Sequence, residues 1–232
     1  MAEDPGNAEL GVGQQEPNDS SDDFNKISFL VRQQVALLDT MKLVKVMKVT
    51  AGEGDGDVKK AGTVDVLPLV NQIDGAGNAT PHGTVYGIPW SRVQGGKNAV
   101  VIDPVVGDIG YVVAADRDIS SVKASGKQST PGSRRKFNIA DGVYAGAALN
   151  VAPEQYLVFT EDGVRLVDKN GNSIAMGTEG ITLTDSNGNV LSMTAGGFDV
   201  TTVGFFKING VDMVVHTHVV TTAPGETGPP VG

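Results

Sequence analysis

Apolar and polar positions divide the chain into stretches of different period. From 163 to 200 the period is two: Val164 and Leu166, Ile174 and Met176, Ile181 and Leu183, Leu191 and Met193, then Phe198 and Val200. Alternation at period two puts one set of side chains on one face of a sheet and the polar set on the other. The same stretch repeats. Residues 163–179 read GVRLVDKNGNSIAMGTE and residues 180–196 read GITLTDSNGNVLSMTAG, aligned without a gap at a period of 17. A third copy starts at Gly197 and then decays. Identities at one fixed offset mark a structural repeat. Each copy predicts two short strands joined at Asn-Gly, a pair suited to a hairpin turn with positive φ.

Between 43 and 119 the apolar runs are short and separated by glycine-rich links. Leu43–Thr50, Gly62–Leu69, Gly83–Ile88, Ala99–Ile102 and Gly110–Ala115 are the predicted strands. Five short strands in this length predict a small OB-type barrel. Residues 120–139, rich in Ser and Gly and ending on Arg134-Arg135-Lys136, predict a long loop excursion. Upstream, Ile27, Leu30, Val31, Leu38 and Met41 fall near helical spacing, with Ser20, Ser21 and Asp22 as caps. This predicts a short helix over 23–41 that covers one end of the barrel. Residues 1–22 hold too little apolar surface to offset ordering entropy and predict a flexible acidic arm.

The expected organisation is therefore all-β: arm 1–22, helix 23–41, barrel with excursion 42–151, shaft 152–215, and apex and tail 216–232. A narrow meander with one apolar face has nothing in its own chain to pack against. Closed symmetry would cover that face, with three copies turned inward around a threefold axis. The expected shaft is thus a trimeric β-prism or intertwined β-helix, the alternative being a monomeric sandwich that includes residues 43–119.

Charge sharpens the division. The net charge of −9 separates into seven acids and no base over 1–25, 11 acids and 15 bases over 26–151, and nine acids and three bases over 152–232. There is no cysteine, which excludes disulfides and thiolate chemistry. The first residues lack an apolar core, so no signal peptide is expected. No apolar run predicts a membrane-spanning helix.

Chemistry is sparse. His216-Thr217-His218 offers two imidazoles on one face of a strand, between Val214 and Val220. Three chains would bring six, a set that matches an octahedral cation; imidazole suits iron, zinc, copper and nickel, and six-coordination argues against the tetrahedral preference of structural zinc. Asp168, Asn170 and Asn172 superficially resemble a calcium loop, but Ser173 stands where that loop needs glycine. Glu53, Asp55 and Asp57 read as a solvated turn, and His82 has no catalytic partner in the sequence. No nucleophile elbow, zinc-protease helix or phosphate loop is present, so no enzymatic activity is expected.

The run Ile102-Asp103-Pro104-Val105-Val106-Gly107-Asp108-Ile109-Gly110 with Asp116-Arg117-Asp118-Ile119, the Asn-Gly repeats and the terminal His-Thr-His together resemble the central spike proteins of contractile-tailed bacteriophages. The resemblance implies a homotrimer in the virion, made in the host cytoplasm, docked on the tail tube and hub. It implies an apex holding one iron ion through His216 and His218 of each chain, and a tip that pierces the host outer membrane. Two other readings compete. One is a nucleic-acid-binding OB protein, with basic Lys42, Lys45 and Lys48 but only Tyr86, Trp90 and Tyr111 as stacking platforms. The other is a trimeric receptor-binding adhesin, although residues 211–232 contain no aromatic side chain.

Overall fold

The computed structural model describes residues 15, 17–74 and 76–213. The chain is mostly β, with two short helices, and separates into two compact units, Met1–Val151 and Ala152–Gly232.

The first unit opens with helix α1, Asp23–Ala36. Asp22 caps it, its carboxylate accepting from the Asn25 N–H at 2.8 Å. The helix is five residues shorter than the spacing predicted: Leu38 lies beyond its end and Met41 opens a strand. No residue of α1 is buried, so it does not serve as a lid for the core of the unit. The predicted flexible arm is anchored at its C-terminal end. Asp19 is buried and paired with Arg32 of α1.

Then come β1 (Met41–Thr50), β2 (Thr63–Pro68), β3 (Gln72–Ile73), β4 (Ala79–Thr80), β5 (Val85–Pro89), β6 (Val93–Gly95), β7 (Asn98–Val100), β8 (Ile109–Ala114), α2 (Ser120–Ser125) and β9 (Gly142–Ala147). Five of these form one antiparallel sheet in the order β5-β2-β1-β8-β9. Alternation sends Val44 and Val46, Val64 and Val66, Ile88, Val112 and Tyr144 to the inside, where they meet Trp90 and Ile139. The sheet curls until its two outer strands meet at a parallel bridge between Trp90 and Tyr144. The Ser91 N–H donates to the Tyr144 carbonyl there at 2.9 Å. Gly110 makes the curl possible. A Cβ at this position would fall on the Tyr144 hydroxyl and the Gly146 carbonyl.

Two expectations for this unit need correction. Ala99–Ile102 does not supply a barrel strand; β7 pairs with β6 in a separate two-stranded hairpin. The fifth strand is β9, whose Gly-Val-Tyr-Ala-Gly-Ala sequence is too poor in large apolar residues to stand out. The excursion between β8 and β9 is present and pinned at both ends. Arg135 reaches Asp118 at 3.0 Å and Asp141 at 2.9 Å, and both carboxylates are buried.

The second unit is a meander of six strands in sequence order: β10 (Tyr156–Thr160), β11 (Gly163–Val167), β12 (Ser173–Gly177), β13 (Gly180–Thr184), β14 (Val190–Thr194) and β15 (Gly197–Thr201). A small pair follows, β16 (Lys207–Ile208) with β17 (Val211–Asp212). The turns differ from expectation. Asn-Gly does not form a two-residue hairpin turn; it lies inside a five-residue loop, Asp168–Asn172 and again Asp185–Asn189. Two-residue turns occur at the opposite end of the meander, where Thr160 pairs with Gly163, Gly177 with Gly180, and Thr194 with Gly197.

Candidate functional site

The register of the meander builds two uninterrupted apolar rows on one face. One row runs Leu157, Leu166, Ile174, Leu183, Leu191 and Val200. The other runs Phe159, Val164, Met176, Ile181, Met193 and Phe198. None of these side chains is buried within the chain. Phe159 is 73% exposed, Phe198 64% and Leu157 57%. The opposite face is mixed: Arg165, Thr182, Ser192 and Asp199 share it with Val158, Ala175, Val167 and Val190. A bare sheet face of this length is a surface built to be covered. Sequence reasoning found ten of its positions. It missed Leu157 and Phe159 because β10 precedes the repeat.

The five-residue loops are fixed by their own side chains. The Asp168 Oδ1 accepts from the Asn170 and Asn172 N–H groups at 2.9 and 2.8 Å, and Oδ2 accepts from the Asn172 side-chain amide at 2.7 Å. Asp185 does the same with Asn187 and Asn189. These carboxylates are thus engaged in turns, which accounts for the calcium-like spacing. Successive loops are also tied together. Asn172 Oδ1 accepts from the Ser186 N–H at 3.0 Å, and seventeen residues on Asn189 Oδ1 accepts from the Val203 N–H at 2.9 Å. The hydrogen-bond repeat therefore reaches the third copy, where the sequence repeat has already decayed.

The Asn189 side-chain amide, its backbone N–H and then Asn187 hold the Asp185 carboxyl at about 2, below the ordinary 3.8. Asp168 is lowered in the same way by Asn172 and then Asn170. A carboxyl depressed in the folded state adds stability that is fully present above 3.8 and is lost as pH falls through about 2. Thermal unfolding followed by circular dichroism should therefore change little between pH 7 and pH 5 on account of Asp185, and weaken between pH 4 and pH 2. Asp185→Ala should lower the pH 7 midpoint by a few degrees and flatten that acid dependence. An unchanged midpoint would show that the loop does not depend on its carboxylate.

In the first unit, a cleft of about 290 Å³ opens along the seam where β5 and β9 meet. Trp90, Arg92, Ile102, Asp103, Pro104 and Tyr144 are among its lining residues. Arg92 makes a bidentate pair with Asp103 at 2.7 and 2.6 Å. That pair is the main cause holding the Asp103 carboxyl below its usual range. Trp90 donates from its indole to Asp103 at 3.2 Å. Only 5% of Trp90 is exposed, so this ring is part of the core and presents no face for a base to stack on. Of the three aromatic side chains counted as stacking platforms, Tyr86 is the well-exposed one, at 72%.

His216 and His218 lie outside the described residues, as do Val214 and Val220. Among the described residues, no group of three or more His, Cys, Asp or Glu side chains converges to hold a metal. No helix among them is long and apolar enough to cross a membrane. No family model matches the chain, and no curated protein matches it.

Proposed function

We propose that the protein is a homotrimeric central spike of a contractile phage tail, docked on the tail hub by its first unit and piercing the outer membrane with its C-terminal tip. The observation that carries this reading is the pair of apolar rows in β10 to β15, twelve side chains of which none is buried within the chain. Three such faces turned toward one axis cover one another and leave Arg165, Thr182, Ser192 and Asp199 outside. Cyclic closure also supplies neighbours for edge strands β10 and β15, which would otherwise invite open-ended pairing. A slender, fully paired shaft suits penetration.

The first unit is read as an OB-type barrel. Its strand order and the parallel bridge between Trp90 and Tyr144 support that assignment. The core position of Trp90 favours a docking module over a single-strand nucleic-acid reader. At the apex, His216 and His218 of three chains would hold one transition metal, most naturally iron, which would cross-link three strand ends where they converge.

The metal proposal has a direct test. Elemental analysis of the purified protein should find one metal ion per three chains, and none in the His216→Ala/His218→Ala double variant. That variant should still trimerise, because the apolar rows lie upstream. Acid should release the ion, since imidazole must be neutral to bind. Metal-free wild-type protein, or full occupancy in the double variant, would overturn the assignment.

A further inference from the structure

Helix α1 presents its apolar side to solvent. Phe24 is 77% exposed, Ile27 61%, Val31 55% and Val35 59%. The partly covered positions are Asn25, Ser28, Phe29 and Gln33, mostly polar and on the other side of the helix. A solitary amphipathic helix normally does the reverse. Ile27, Leu30, Val31, Gln34, Val35 and Leu38 line one continuous surface, Leu38 extending it just past the helix end.

The spacing on that surface is heptad-like. Phe24, Val31 and Leu38 are seven apart; Ile27 and Gln34 stand three residues after the first two of them. These are the two core positions of a coiled coil. Leu30 and Val35 flank the seam and widen it, which suits a bundle of more than two helices. We infer that α1 packs against the α1 helices of two other copies as a short parallel three-helix bundle, a second assembly element in addition to the shaft. The inference rests on the trimeric reading proposed above.

The charge pattern points to copies of the same helix as the occupant. Parallel identical helices set like charges side by side, so their seam must be free of charge. The charged side chains of α1 are Asp23, Lys26 and Arg32. None occupies a core position, Asp23 flanking the seam one heptad before Leu30, and all three are internally paired: Lys26 with Asp23 at 3.1 Å, and Arg32 with Asp19. The seam thus carries no charge for a foreign acidic or basic partner to read. The chain's first 14 residues offer little apolar side chain as cover. They hold Glu3, Asp4 and Glu9, with Met1, Leu10 and Val12 as their only large apolar side chains. A helix of 14 residues is marginal as an isolated element. Tethered to a trimeric shaft, three copies would meet at a high effective concentration. Gln34 in the seam is the kind of polar residue that fixes register.

The test uses the full chain, which has no cysteine of its own. Gln34→Cys is placed in the seam and Ala36→Cys on the opposite side. Each is treated with a short bis-maleimide, and the mass is measured in parallel without cross-linker. The expected result is a mass of three chains for both, with a covalent pair and one unlinked chain per trimer for Gln34→Cys and no linkage for Ala36→Cys. Adding Val31→Glu to Gln34→Cys should abolish the linkage while the mass stays at three chains. A trimer in which Gln34→Cys does not link, in which Ala36→Cys links equally, or in which Val31→Glu leaves the linkage intact would overturn the helix bundle and spare the shaft. A monomeric mass would overturn both.

Discussion

Leu183→Asp is expected to leave the protein monomeric. Leu183 stands near the middle of one apolar row, paired across to Ile174 on β12 and Leu191 on β14. In a threefold assembly its three copies meet close to the axis. Three carboxylates placed there would lose their hydration and repel one another. Removing unpaired ions from water costs several kcal/mol for each, so the penalty is on the order of 10 kcal/mol per trimer. The neighbouring substitution Thr182→Asp is the control. Successive strand residues face opposite sides, and Thr182 pairs with Ala175 and Ser192 on the opposite face. It should trimerise normally. Equal tolerance of the two changes, read by light scattering, would show that the apolar rows do not face the axis.

The second large effect is expected at the two-residue turns. Gly180 has φ +126°, and a Cβ there would fall on the Met193 carbonyl oxygen, with the Met193 carbon at 3.0 Å and the Thr194 Cα at 3.2 Å. These are backbone atoms and cannot swing aside. Gly180→Ala should therefore cost about 1–3 kcal/mol per chain for the backbone conformation alone, with the steric overlap added to it. Gly197 separates the two contributions. Its φ is +127°, yet no atom lies within 4 Å of a Cβ there, so only the conformational part applies. Gly196 has neither problem, its nearest neighbour being the Thr194 hydroxyl at 3.5 Å. The expected order of destabilisation in chemical denaturation is Gly180→Ala, then Gly197→Ala, then Gly196→Ala with little effect. If Gly180→Ala and Gly196→Ala unfold alike, the close approach between β13 and β14 is not as described.

What the sequence revealed and what it hid follow from where side chains carry the signal. The meander was legible because its strands have one apolar face, and a period of two with a repeat of 17 survives in the residues themselves. Its loops were only half legible. Asn-Gly announces a positive φ, and Gly171 and Gly188 supply it at +91° and +94°. The loop length, however, is set by Asp168 and Asp185 reaching forward four residues, a side-chain device that looks the same in a calcium loop. In the five-stranded sheet, β1 and β2 carry Val44, Val46, Val64 and Val66 and were found. Strand β9 was missed because close approach to Val112 of β8 leaves no room for a Cβ at Gly142, Gly146 takes a φ of +123°, and glycine carries no hydrophobic signal. Helix α1 was found but its end was misplaced, since Leu38 and Met41 keep a helical spacing after the backbone has left the helix. The role of Arg135 was out of reach. Its partners Asp118 and Asp141 lie 17 and six residues away, and only the folded excursion brings them together.

Sedimentation equilibrium of the 232-residue chain decides whether the shaft forms from three chains around one axis. The account predicts three times the chain mass of 24.0 kDa, unchanged on dilution into the low micromolar range and reduced to one chain mass by Leu183→Asp. A folded wild-type protein sedimenting as a single chain would contradict it.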